Sequence, residues 1–144
     1  MNRPERAVAA FQLGHNCSEA ILSTFAGDFG LPRDTALRLA CPFGAGLARR
    51  GGTCGAVSGA FMVIGLRYGR VKPEDKASRD RSYTKVREFL QEFQKRNQST
   101  LCRELLGVDL STDEGYRRAK DEGLVDTRCP QMVRDAAEIL EQIL

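Results

Sequence analysis

The segment 53–69 restricts the fold more than any other stretch of the chain. It carries Ala56, Val57, Ala60, Phe61, Met62, Val63, Ile64 and Leu66, which fall on nearly every side of a helical wheel. A helix that is apolar all round must be covered by other elements on most of its faces. Its nearly uncharged run, 53–66, is too short to span a bilayer, which takes about 20 residues. It therefore reads as the central helix of a soluble helical domain. Gly55, Gly59 and Gly65 interrupt it, each at a cost of about 1 kcal/mol relative to alanine. Such glycines predict close approach of another backbone. Positions 55 and 59, one helical turn apart, fall on one face. A ligand lying against that face is the alternative use of the same small residues.

The remaining periodicity is also helical. Val86, Phe89, Leu90 and Phe93 recur at i, i+3, i+4, i+7 within a charged stretch from about 75 to 97. Met132, Ala136, Ile139, Leu140 and Ile143 form a second stripe, and Ala20, Ile21, Thr24 and Phe25 a third after Asn16. No run alternates cleanly enough for a strand. Gly27-Asp28-Phe29-Gly30-Leu31-Pro32 ends one helix and starts another. Ser111-Thr112-Asp113-Glu114 reads as a capping box for a helix ending near Gly123. Gly69 closes the central helix and Pro73 opens the next. With no repeat and no long linker, residues 1–144 are expected to form one all-α domain. The expectation is a compact bundle of about six to eight helices around the central one.

Charge and cysteine content narrow the function. The 22 basic and 19 acidic residues give a net charge of +3, too balanced for a nucleic-acid binder. In the stretch 70–96 the two signs interleave, as on a solvated helix face. The N-terminus, Met1-Asn2-Arg3-Pro4-Glu5-Arg6, lacks the pattern of a secretory signal, so a cytoplasmic location is expected. A reducing cytosol disfavours structural disulfides. The five cysteines are then metal ligands, redox thiols or core fillers. No phosphate-binding loop and no nucleophile–base motif is present, and there is one histidine. No substrate pocket of an ordinary enzyme is visible.

Placement on helices separates the thiols. Cys17 follows the capping residue Asn16 at the start of a helix 18–25, and Cys54 follows Thr53 at the start of the central helix. Cys102 lies just after Ser99 and Thr100 at the start of a short helix 101–106. Cys129 follows Asp126-Thr127 and precedes Pro130, a favoured first-turn residue. All four are expected in first turns, where unpaired N–H groups and the helix dipole stabilise a thiolate. Cys54 stands out, because Arg49-Arg50-Gly51-Gly52 precedes it with two cations and a glycine pair whose amides could cradle an anion. Cys41 is expected at a helix end, where the dipole opposes ionisation, unless its loop folds back toward Cys54. His15, two residues before Cys17, is a candidate ligand or proton carrier by proximity alone. No Cys-x-x-Cys occurs, which removes zinc-ribbon, thioredoxin and local ferredoxin motifs.

The anchors resemble a known family, the redox-active proteins named for the pattern C_GCAxxG_C_C. The matching residues are Gly14-His15-Asn16-Cys17-Ser18-Glu19-Ala20, then Gly52-Thr53-Cys54-Gly55-Ala56-Val57-Ser58-Gly59, then Cys102-Arg103-Glu104-Leu105-Leu106-Gly107, and Arg128-Cys129-Pro130. The resemblance implies a small all-helical domain with four signature cysteines and a redox role, without specifying a reaction. Cys41 departs from the four-cysteine pattern. A similar arrangement accompanies haems in a sulfate-reducer cytochrome, but this chain lacks Cys-x-x-Cys-His, so covalent haem is excluded.

Three readings remain. In the first, Cys17, Cys54, Cys102 and Cys129 ligate an iron–sulfur cluster or zinc for electron transfer, with Gly55, Gly59 and Arg50 beside the cofactor. In the second, Cys54 attacks and Cys17 or Cys41 resolves in a metal-free thiol–disulfide cycle. In the third, the cysteines only pack a non-catalytic helical module. The implied partner is an electron-transfer or thiol-redox protein.

Overall fold

The computed structural model describes residues 1–144. In chain order it contains α1 (Arg3–Gln12), α2 (Cys17–Ala26), α3 (Arg33–Ala40), the short turn α4 (Gly44–Leu47), α5 (Gly55–Tyr68), α6 (Lys76–Asn97), α7 (Cys102–Leu106), α8 (Asp113–Asp121) and α9 (Leu124–Ile143). Eight of these are right-handed helices, and α4 is left-handed. There is no strand, only an isolated antiparallel bridge between Thr53 and Leu101. The all-α expectation holds. No helix is long and apolar enough to cross a membrane.

The helix starts follow local chemistry. Asn2 and Asn16 head full capping boxes with Glu5 and Glu19, so each pair satisfies two orphan amides reciprocally. Asp75 caps α6 through the Ser78 amide, so this helix begins later than the expected start at Pro73. Thr112 caps α8 through the Gly115 amide, one residue beyond the expected cap at Ser111.

Helix α5 lies at the centre, packed against α2, α6 and α9. Its glycines explain how closely α2 approaches. A Cβ on Gly59 would lie 3.0 Å from the Ser18 carbonyl oxygen and 3.1 Å from Ile21 Cβ. One on Gly55 would lie 3.0 Å from the Ser18 amide nitrogen and 3.1 Å from Cys17 Cβ. The two small residues therefore seat α5 on the backbone of α2. Gly65 does not share that role: open space surrounds the position of its missing side chain. Below the glycine face, Val57, Val63, Ile64, Ile21, Phe25, Phe89, Phe93, Ile139 and Leu140 form the core. Phe89 meets Phe61 edge-on at 6.1 Å and stacks on Phe93 at 5.7 Å, favoured aromatic arrangements. Arg96 of α6 bonds Asp135 and Glu138 of α9 at 3.1 and 2.8 Å, and the buried Asp135 carboxylate also accepts from Gln131 at 2.9 Å.

The most unusual backbone lies between α3 and α5. Ala45, Gly46, Leu47, Ala48 and Arg49 all have positive φ, between 55° and 68°. The Ala48 amide donates to the Gly44 carbonyl at 2.9 Å, closing a left-handed helical turn. Each non-glycine residue there costs about 1–2 kcal/mol. The turn is held from outside by the Gly52 amide, which donates to the Gly46 carbonyl at 2.9 Å. This gives a stability prediction of unusual sign. Ala48 is exposed, so Ala48→Gly removes strain without removing packing. The relief exceeds glycine's extra chain entropy, about 0.5–1 kcal/mol. The urea midpoint is expected to rise by an amount equivalent to about 0.5–1 kcal/mol.

Candidate redox site

Four cysteines from four segments wall one cavity of about 270 Å³. Cys17 is the first residue of α2, Cys54 the N-cap of α5, Cys102 the first residue of α7, and Cys129 lies on α9. All four are buried, and Cys41 is exposed. The rest of the wall is mainly apolar, with Phe11, Leu105, Leu106, Leu110 and Met132. No disulfide is formed. As they stand, no three His, Cys, Asp or Glu side chains are gathered tightly enough to hold one metal ion.

Each thiol is placed by an identifiable device. Asn16 caps α2 and also donates its side-chain amide to the Cys41 carbonyl at 3.0 Å. Ser18 donates to the Ala40 carbonyl at 2.8 Å. Together they fix Cys17 against the end of α3. Cys54 and Cys102 are registered by the small antiparallel bridge, where the Cys54 amide donates to Thr100 at 2.8 Å and the Cys102 amide to Gly52 at 2.7 Å. Arg128 donates to the Leu106 carbonyl at 2.5 Å, tying α9 beside Cys129 to the end of α7 beside Cys102.

The expected position of Cys129 needs correction. Helix α9 begins at Leu124 after the left-handed Gly123, so Cys129 lies in its second turn and Pro130 inside the helix. Pro130 has no N–H, which leaves the Asp126 carbonyl without its usual helical donor. Three cysteines, not four, therefore stand at helix starts. Cys41 also remains apart, as the C-cap of α3, and does not fold back toward Cys54.

The remaining candidates divide in the same way. Gly55 and His15 line the cavity. Gly59 is against α2, and Arg50 is exposed outside the wall. The Gly52 amide is spent on Gly46 and the Gly52 carbonyl on Cys102, so the glycine pair braces the site, and its Gly52 amide is not free for an anion. Sequence reasoning missed Gly46. A Cβ there would come within 2.6 Å of Cys102 Cβ, so the left-handed turn forms part of the wall by pressing backbone against a cysteine.

The thiols differ electrostatically. Cys54 is held below the usual thiol range, first by a hydrogen bond from Cys17, with the Ala56 and Val57 amides helping and burial opposing. Cys17 is pushed well above that range by hydrogen bonds to Cys129 and Cys54 and by burial. Burial, and the neighbouring Cys54 and Cys129, push Cys102 up to about 12. Ionisation is therefore easier at Cys54 than at Cys17 or Cys102.

The raised Cys102 value sets a pH dependence. Between the ordinary thiol value of 9.0 and about 12, the folded protein keeps a proton that the unfolded chain has lost. Stability therefore falls as pH rises through this window. Thermal melts from pH 8 upward are expected to show the decline, and Cys102→Ser should make it shallower.

The family model described as "Putative redox-active protein (C_GCAxxG_C_C)" matches residues 15–143. The chain belongs to this redox-active family. The matched residues include the four cysteines that wall the cavity; Cys41 is exposed and lies outside it. No curated protein and no solved structure matches the chain.

Proposed function

We propose that this redox-active family member is an electron-transfer protein in which Cys17, Cys54, Cys102 and Cys129 hold an iron–sulfur cluster. The observation that carries the reading is the convergence of these four thiols, and no other, on one largely apolar cavity. Four soft sulfur donors suit iron–sulfur or zinc. A single zinc ion, with Zn–S near 2.3 Å, needs its sulfurs drawn to within about 4 Å of one another. No three of these thiols are gathered for a single ion as they stand, which suits a larger cluster of several metal atoms better. Such a cluster would supply one-electron transfer.

The chain's own residues supply the environment. Cys54 stands at the N-terminus of α5, where the first-turn amides could donate to a ligating sulfur, and such hydrogen bonds tune the reduction potential. The largely apolar wall limits hydration of the buried thiols. Because Cys17 and Cys102 strongly favour their protonated forms, loading the site would release protons and would be favoured by higher pH.

Anaerobic reconstitution with ferrous iron and sulfide tests the proposal. The expected result is bound iron and sulfide, visible charge-transfer absorption bleached by reduction, and loss of all four reactive thiols. A colourless protein with its thiols intact would overturn it.

One observation favours a second reading, a dithiol centre: Cys17 and Cys54 are near enough in the buried site to shift each other's ionisation in opposite directions. With oxidised glutathione, the Cys54 thiolate would displace one glutathione thiolate. Cys17, losing its proton, would then attack the Cys54 sulfur and release the second glutathione, leaving a Cys17–Cys54 disulfide. The sulfurs are only 7% and 5% exposed by residue, which hinders in-line attack but not electron transfer. Rapid formation of that disulfide in an iron-free protein that will not reconstitute would select this reading.

A further inference from the structure

A second cavity, also about 270 Å³, adjoins the thiol cavity. The two share Ala45, Leu110, Val125 and Asp126 in their linings, so they adjoin, and the second chamber is open, with Arg49, Lys120 and Asp126 exposed. Their chemistry differs. The far wall of the second chamber presents Arg49, Lys120 and Tyr116. The guanidinium of Arg49 lies 4.7 Å from the Tyr116 ring centre and the Lys120 ammonium 5.8 Å from it.

These three residues converge by construction. Tyr116 and Lys120 are one turn apart on α8 and so share a face. Arg49 ends the left-handed run, and the strain of that run directs it across to α8. Neither cation forms an ion pair, and both lie over the Tyr116 ring, which orients them without neutralising either. The opposing charge in the chamber is Asp126, on the wall shared with the thiols. The chamber is thus cationic at one end and carries a carboxylate at the other.

We propose that this second chamber binds a small organic anion, with its oxyanion group on Arg49 and Lys120 and its uncharged body toward the thiol cavity. Arg49 can clasp a carboxylate or a phosphate through two N–H groups. The body of the ligand rests on Leu110 and Val125, and Asp126 on the shared wall disfavours a second negative charge at that end. The ligand class is therefore a molecule charged at one end only. Its role as small-molecule electron partner rests on the redox reading above, but its binding does not.

Titration of the metal-free protein with benzoate and with phenylphosphonate, followed by calorimetry and by NMR shifts of α8 amides, tests this. Saturable binding of at least one is expected, and the stronger of the two identifies a carboxylate or a phosphate-type headgroup. Benzamide, the neutral counterpart, should not bind. Arg49→Gln and Lys120→Gln should each weaken binding about tenfold, the loss of one charge-assisted contact. Arg67→Gln removes a comparable guanidinium stacked on Tyr68 and should leave binding unchanged. No saturable binding, equal binding of benzamide, or equal loss in Arg67→Gln would overturn the proposal. Repeating the titration in Cys17→Ser separates the two claims: anion binding that persists where iron is not retained upholds the chamber whatever the fate of the cluster.

Discussion

Cys54→Ser is expected to abolish iron retention after reconstitution while leaving the fold intact. The two halves of this outcome have separate causes. Cys54 is the N-cap of α5, and serine is among the preferred residues at that position. Its hydroxyl can accept from the first-turn amides of α5, which the Cys54 side chain leaves uncapped, so helicity and the melting temperature should change little. The soft donor, however, is gone, together with the thiol whose ionisation the site favours. Outer-shell changes at metal centres cost about 10–100-fold in affinity, and loss of a ligand should exceed that. Iron per chain and visible absorption are the readouts. Cys41→Ser is the matched control, because this thiol is exposed and off the cavity, and it should reconstitute like the parent. If Cys54→Ser kept full iron content, the four-thiol site would be wrong.

The second large effect concerns two glycines on one helix, and the signs are opposite. Gly55→Ala places a methyl group 3.0 Å from the Ser18 amide nitrogen, 3.1 Å from Cys17 Cβ and 3.3 Å from the Phe43 carbonyl oxygen. Two of these neighbours are backbone and cannot swing aside. Forcing a methyl into a packed contact costs about 1–3 kcal/mol, and here the displacement would open the Cys17–Cys54 contact. A lower melting temperature and a less stabilised Cys54 thiolate, seen as slower alkylation near neutral pH, are both expected. Gly65→Ala meets open space and gains helix propensity of about 1 kcal/mol, so it should stabilise the same helix. Chemical denaturation of the two variants side by side checks the pair.

Much of this architecture is written locally in the chain. The Asn16–Glu19 capping box starts α2 at Cys17, and the charged amphipathic stretch with Phe89 and Phe93 becomes α6. The crowded glycines of the apolar helix at 55 and 59 mark its contact with α2. Local signals fail where the determinant is distant. Pro130 reads as a helix opener, but packing of α9 against α1 and α6 carries the helix through it. Nothing in Ala45, Leu47, Ala48 or Arg49 announces left-handed backbone; it is imposed by contacts with Gly52 and Cys102. Gly65, which has the same composition signal as its neighbours, has no such contact. The convergence of the thiols was legible only through the resemblance, since the spacing of Cys17, Cys54, Cys102 and Cys129 in the chain contains no short-range motif.

The small bridge between Thr53 and Leu101, and the Arg128 bond across to Leu106, set an order of events during synthesis. Cys17, Cys54 and Cys102 emerge from the ribosome well before Cys129, and α9 supplies both the last thiol and a large part of the core around α1 and α6. Contacts of such long sequence separation form late in folding. Until α9 docks, the nascent chain carries four accessible thiols, Cys17, Cys41, Cys54 and Cys102, and the cavity lacks one wall. The four-thiol cavity therefore closes only when α9 docks, and the interval before that is when the cysteines are most open to oxidation.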